Sequence, residues 1–326
     1  MHDGTTHMLE EDSLNIDLPR IYDALVSIYH QFKYLEVSLC PASVLEALCQ
    51  ELPHIDTRSW EARHLCGGIY LNGRPCALTD PLPVPCKVEY YEPKGGPEEI
   101  YKRIFDYPVN SYVLYEDDYL LAVWKPASIH CLPAKEQQLF FLQKLLEDYC
   151  GTKIHMPSRL DYSTSGVVLV SKHVDSHAPL QQAYENRTIQ KYYVLATDTC
   201  PDWHERHVAC RIARDPRHHI LRRPHPTEGK PSETDFKVLR SDPCLLLAKP
   251  KTGRTHQIRV HAAYSGFPII GDNFYNGRPS DSLHLASIAL RLSHPISKVA
   301  LRIDANEDFL PSWCKNLTEL YPSLSA

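Results

Sequence analysis

The chain has 326 residues, 43% hydrophobic and 23% charged, an ordinary globular composition that excludes a disordered chain and suits two domains or one large domain with an appendage. Its formal net charge of -5 weighs against a uniformly basic nucleic-acid binder, and its 11 cysteines, odd in number and without a paired C-x-x-C or zinc-type spacing, point to reduced thiols and no metal site. Glu10, Glu11 and Asp12 occupy the place where a secretion signal needs a basic start and an apolar run, and no apolar stretch reaches membrane-spanning length, so a soluble cytoplasmic protein is expected.

After a polar start, Ile21, Leu25, Ile28, Tyr29, Phe32 and Leu35 recur at helical spacing, and Val44, Leu45 and Leu48 continue after Pro41, so two short helices are expected. Next come Gly67 and Gly68, a strand over Ile69–Leu71, the turn Asn72–Gly73 and a strand over Lys87–Tyr91. Asn-Gly between apolar runs is a hairpin signal. The stretch His64 to Pro75, with Val88 to Pro93 behind it, resembles the second half of the alpha-L RNA-binding module; only Arg58 and Arg63 supply the basic helix that such modules carry. Gly, Pro and charge between Lys94 and Tyr107 mark a linker. The expected domains are therefore 1–93, a linker at 94–110, a larger domain at 111–310 and a tail at 311–326.

Tyr119 to Trp124 reads as a strand that stops at Lys125-Pro126, because proline cannot continue a ladder. Leu139, Leu142, Leu145, Leu146 and Tyr149 trace a helix ending at Gly151. The most informative stretch follows. In Ser158 to Lys172, Asp161 sits in a Ser/Thr/Gly-rich turn, Arg159 lies two residues before it, and Val167 to Val170 form a buried strand directly after it. A carboxylate held at a strand mouth can serve as nucleophile or base; an aspartate in such a turn also commonly bonds its own backbone and does nothing more.

A helix over Asp175–Asn186 leads to a strand over Lys191–Ala196, where Tyr192 and Tyr193 put one ring on each face. Residues 200–232, rich in Cys, His, Arg and Pro, show no periodicity and read as a basic insertion or long loop suited to phosphate contact. Charge is polarised along the chain: Met1–Asn110 holds 17 acidic and 9 basic residues, net -8, whereas Arg206–Arg259 holds 13 basic and 5 acidic, net +8, with five histidines besides. One face could thus grip a polyanion. Strands over Asp235–Leu239 and Cys244–Ala248 precede a short helix capped by Thr255 and ended by Gly266. Arg254, His256, Arg259 and His261 crowd it, which is costly unless an anion or a carboxylate is paired with them. Strands over Leu283–Leu292 and Lys298–Ile303 close the chain.

From Tyr112 to Ile303 these pieces resemble the RluA-type pseudouridine synthases. Ser158 to Gly166 is similar to the family motif His-Arg-Leu-Asp-Arg-x-Thr-Ser-Gly, and Gly253 to His261 matches Gly-Arg-x-His-Gln-Ile-Arg-Val-His, followed by Pro268 to Asp272. Lys125-Pro126, the Lys191 to Tyr193 strand and the Leu283 to Pro295 stretch complete the family's order. Two positions depart: Ser158 replaces the first His and Tyr162 the second Arg, which removes one phosphate-contacting cation.

The resemblance implies an α+β fold with a mixed, mainly antiparallel sheet around a central cleft, and a cofactor-free enzyme that isomerises uridine in rRNA or tRNA. It implies Asp161 as the catalytic aspartate, Tyr193 stacked on the target uracil, Arg259 paired with Asp161, and Arg159 displacing or holding the flipped nucleotide. Ile258 is expected against the substrate, and Arg254, His256, Lys125, Arg222 and Arg223 against the RNA backbone. A monomer acting on RNA, with no DNA or membrane partner, is expected; the alternative is a catalytically silent RNA-binding protein on the same scaffold.

Overall fold

The structure is a computed structural model that describes residues 32–37, 41–55, 57, 60, 64, 69–91, 108–127, 129–132, 141–216 and 220–316. The expected linker at 94–110 lies almost wholly outside these residues, as do Gly67, Gly68 and most of the helix expected over Ile21–Leu35. The last two positions of that helix, Phe32 and Leu35, belong instead to a strand, β1 (Phe32–Val37). Apolar spacing of three cannot by itself separate one helical turn from a short strand, and β1 is decided by its antiparallel pairing with β4 (Cys86–Tyr91).

Between them α1 (Val44–Glu51) is capped by Ser43, whose hydroxyl accepts the Glu46 N–H at 3.3 Å, and it buries Val44, Ala47 and Leu48. β2 (Ile69–Leu71) turns through Asn72 and Gly73, both at positive φ, into the two-residue β3 (Arg74–Pro75). The Glu89 carboxylate accepts the Gly73 N–H at 2.9 Å, and Asn72 Oδ1 accepts the Lys87 N–H at 2.8 Å, so side chains of β4 and the turn hold each other. The sheet order is β1-β4-β2-β3 over a small core containing Trp60, Val88 and Tyr90.

The chain divides into two compact units, Leu18–Ile189 with Arg291–Phe309, and Gln190–Leu290 with the segment from Leu310. In the first unit, β5 (Val113–Glu116), β6 (Leu120–Lys125) and β7 (Ser165–Ser171) form antiparallel neighbours. Every residue of β6 and β7 is buried, which is why both read as unbroken apolar runs rather than alternating ones. α2 (Leu142–Cys150) ends at Gly151 in the left-handed conformation and packs Leu142 and Leu146 under β6 and β7, and α3 (Val174–Glu185) follows.

In the second unit the sheet runs β10-β9-β11-β12-β8 and then β13, built from β8 (Gln190–Ala196), β9 (Glu205–Arg214), β10 (Arg222–His225), β11 (Lys230–Ser241), β12 (Cys244–Pro250) and β13 (Leu285–Ser293). β14 (Ala300–Asp304) belongs to the first unit. The described ladders between strands are antiparallel, and α4 (Gln257–Tyr264) packs Ile258 and Ala262 into the core of this unit with Phe236 and Phe267.

Most of the described part of 200–232 is thus strand rather than loop. It is hidden from periodicity because both faces of β9 carry polar residues at the sheet edge, where an apolar face is not required. Its prolines fit: Pro224 lies on the edge strand β10, and Pro231 lies before the β12 pairing begins at Thr234. The tail expected from 311 begins with a packed turn, with Cys314 buried and Trp313 stacked on His284 at 4.9 Å.

Candidate active site

In the first unit, Asp161 is half-buried in the turn that feeds β7, and its carbonyl accepts the Thr164 N–H at 3.1 Å. The turn is clamped from below by Lys125, the last residue of β6. Lys125 is 0% exposed, and its ammonium donates to the carbonyls of Pro126 and Ile129 at 2.9 Å and of Tyr162 at 3.3 Å. Three donors thus meet three acceptors, and none remains for a phosphate. The expected RNA contact through Lys125 is corrected by this burial: the residue ties β6 to the residue after Asp161.

Burial pulls the Lys125 ammonium down to about 8, opposed by the Cys131 and Asp161 charges that favour its charged form. Burial and then the Lys125 charge hold His130 neutral, pulled down to about 4. Its ring lies 4.5 Å from that of Tyr162, and the Leu160 N–H points to Cys131 Sγ at 3.3 Å. The strand mouth around Asp161 is therefore bound on both sides, while Arg159 extends into solvent.

In the second unit, Tyr193 is half-buried on β8 and packs against the cluster that includes Ile258 of α4. Arg259, 4% exposed, donates Nε to Asp272 Oδ2 at 2.8 Å and Nη2 to Asp272 Oδ1 at 2.7 Å, with the Phe274 and Tyr275 rings under its guanidinium at 4.9 and 5.2 Å. The crowding of cations that the sequence presents is thus resolved by a carboxylate, as the physics requires, and Asp272 had no role assigned to it from sequence. Asp161 and Arg259 belong to different units, and within its own unit the Arg259 fork is bound to Asp272.

The rest of that motif turns inward. Gln257 accepts from Thr252 Oγ1 and the Arg254 N–H and donates to Glu233 O and Thr234 Oγ1. His261, 0% exposed, meets Thr234 and Ser232 hydroxyls at 2.9 Å, and burial pulls it down to about 4. His256, expected on the helix, instead precedes it at φ 58, a left-handed value uncommon outside glycine, and its Nδ1 lies 2.7 Å from Tyr275 Oη. This displaces Thr255 from the cap and leaves only Arg259 and His261 of the four cationic residues on α4. His256 is buried, and Arg254 is half-buried with Nε on the carbonyl of Pro231.

Of the two arginines expected against RNA in the 200–232 segment, Arg222 donates Nη1 to the carbonyls of Ile220 and Leu221, whereas Arg223 lies near Glu228 at 3.9 Å. Among the described residues no three His, Cys, Asp or Glu side chains form a metal-binding group, and no helix is long and apolar enough to cross a membrane.

Residues 119–264 match the family described as RNA pseudouridylate synthase. The chain is 31% identical over 251 residues to the ribosomal large subunit pseudouridine synthase C of Vibrio vulnificus, covering 68% of this chain and 73% of that one. It is 30% identical over 212 residues to the dual-specificity RNA pseudouridine synthase RluA of Vibrio parahaemolyticus, covering 61% and 84%. Among solved structures it is similar to human RNA pseudouridylate synthase domain containing 1, with a TM-score of 0.54, 25% identity and coverage of 66% of this chain and 94% of that one.

Proposed function

The chain belongs to the RNA pseudouridylate synthase family and isomerises uridine in RNA to pseudouridine, and from that premise we propose that Asp161 is its catalytic carboxylate. The reaction breaks the bond from ribose C1′ to ring N1 and makes one from C1′ to ring C5. The hydrogen on C5 leaves to solvent and N1 gains one, so nothing is oxidised or reduced. A carboxylate beside the glycosidic bond, an aromatic platform for the freed ring and a pocket reached by an extruded base are sufficient for it. The observation that carries the assignment is the clamp: Lys125, buried at the end of β6, holds the Tyr162 carbonyl and so fixes the turn that bears Asp161.

In this reading Tyr193 stacks on the uracil beside Ile258, and Asp272 fixes the direction of the Arg259 guanidinium on α4. Arg159, exposed two residues before Asp161, holds the place vacated by the flipped nucleotide, and Arg254 and Arg223 meet phosphates. The similarity to a ribosomal large subunit pseudouridine synthase favours structured ribosomal RNA as substrate, with tRNA the second candidate. A cytoplasmic monomer with no role on DNA belongs to the same reading.

The test is tritium release from RNA labelled at uracil C5, with the purified protein beside Asp161→Asn. Release by the unaltered protein and at least about 1000-fold less by the variant, with RNA binding retained, is expected for loss of a covalent or proton-transfer group. An active Asp161→Asn variant overturns the assignment; binding without release by the unaltered protein favours the silent RNA-binding reading.

A further inference from the structure

The edge formed by β9, β10 and β11 carries charges that the pairing of strands does not explain. Arg211 of β9 lies directly across from His225 of β10, and Ala213 lies across from Arg223. Opposed residues of an antiparallel ladder share a face, as do residues two apart along a strand, so Arg211, Arg223 and His225 stand together with only the small Ala213 among them. Like charges so placed repel. The carboxylate near them, Glu228, is 3.9 Å from Arg223 Nη2 and 3.7 Å from His225 Nε2, beyond hydrogen-bond length, and 65% of its side chain is exposed. Nε of both Arg211 and Arg223 is covered and has no hydrogen-bond partner. A covered N–H without a partner is costly, and two at diagonal positions on one face indicate an arrangement completed by an anion that draws the guanidinium groups outward.

The frame beneath is fixed. His225 Nδ1 accepts the N–H groups of Thr227 and Glu228 at 3.3 and 2.8 Å, which leaves Nε2 as the ring nitrogen that can donate. Arg211 Nη2 donates to the carbonyl of Gly229 at 2.8 Å. Gly229 itself has φ +76, and a Cβ there would stand 2.2 Å from the Ile212 carbonyl oxygen, so the β10–β11 turn lies tight against β9.

We propose that this edge is a phosphate-binding site for the RNA backbone, in which Arg211 and Arg223 grip phosphodiester oxygens and His225 Nε2 adds a third donor. The site rests on the RNA-substrate reading above. Planar guanidinium forks match phosphate geometry, and contacts of this kind position the nucleic acid without reading its sequence. Arg222, adjacent in sequence, lies on the opposite face across from Arg214 and spends its donors on Ile220 and Leu221, so it takes no part.

The experiment is binding of a fluorescent uridine-containing RNA hairpin over a potassium chloride series, with the unaltered protein, Arg211→Gln/Arg223→Gln, Arg223→Gln, and Arg214→Gln as a control on the other face whose charge change equals that of Arg223→Gln. The double variant is expected to weaken binding about tenfold and to lower the slope of log affinity against log salt by roughly one to two. Arg214→Gln is expected to leave both unchanged. An unaltered slope in the double variant, or an equal fall in Arg214→Gln, overturns the site. Should the double variant fail to fold, Arg223→Gln alone relieves a like-charged pair and carries the same test with a slope change of about one. Absence of salt-sensitive binding by the unaltered protein overturns the RNA reading itself, a result distinct from failure of this site alone.

Discussion

Arg259 and Asp272 form a two-pronged buried ion pair, with side chains 5% and 0% exposed. Asp272 Oδ1 also accepts the Phe274 N–H at 3.1 Å, so one carboxylate both neutralises α4 and shapes the turn that follows it. Buried pairs gain little over well-packed apolar residues, but removing one partner strands the other charge in a low-dielectric interior.

Asp272→Ala is therefore expected to lower the unfolding free energy by about 3–5 kcal/mol, read from urea denaturation. A midpoint equal to that of the unaltered protein would show that the guanidinium finds another partner.

Lys125→Met keeps the length of the side chain and removes all three donors to Pro126, Ile129 and Tyr162. Leaving these carbonyls without partners is expected to cost about 2–4 kcal/mol of stability. Because Tyr162 follows Asp161, kcat for C5 tritium release should fall more than KM rises, about tenfold or more for a misplaced reacting group. A fall confined to KM would show that Lys125 acts on RNA affinity and not on the placement of the carboxylate.

His261 supplies a pH dependence. Its folded value, pulled down to about 4, lies below the ordinary 6.5, so between these two values the unfolded chain binds a proton that the folded chain does not. Stability from this group is fully present above about pH 6.5 and is lost as pH falls toward 4, by about 3 kcal/mol in total. His130, shifted in the same direction, adds to the same window. His261→Gln, which can still bond the Ser232 and Thr234 hydroxyls, should flatten the slope of unfolding free energy against pH between 6.5 and 4. An unchanged slope would assign the acid sensitivity elsewhere.

The sequence by itself determined whatever rests on short-range pattern. β6, β7 and β12 are unbroken apolar runs because they are buried on both faces, and α2 ends where glycine adopts a left-handed turn. The turn bearing Asp161 and the order of motifs that carries the family resemblance are likewise properties of consecutive residues. Tertiary structure decided what depends on partners distant in the chain. Whether Phe32 and Leu35 are helical or extended was settled by pairing with β4, and whether 205–214 is a strand was settled by its hydrogen bonds to β10 and β11. A lysine reads the same at a surface and in a cage of carbonyls, and an arginine reads the same free or forked onto Asp272. Only the neighbours brought by folding tell Lys125 from a phosphate contact and give Arg259 its carboxylate, because the cost of a charge is set by its dielectric surroundings and partners rather than by its place in the chain.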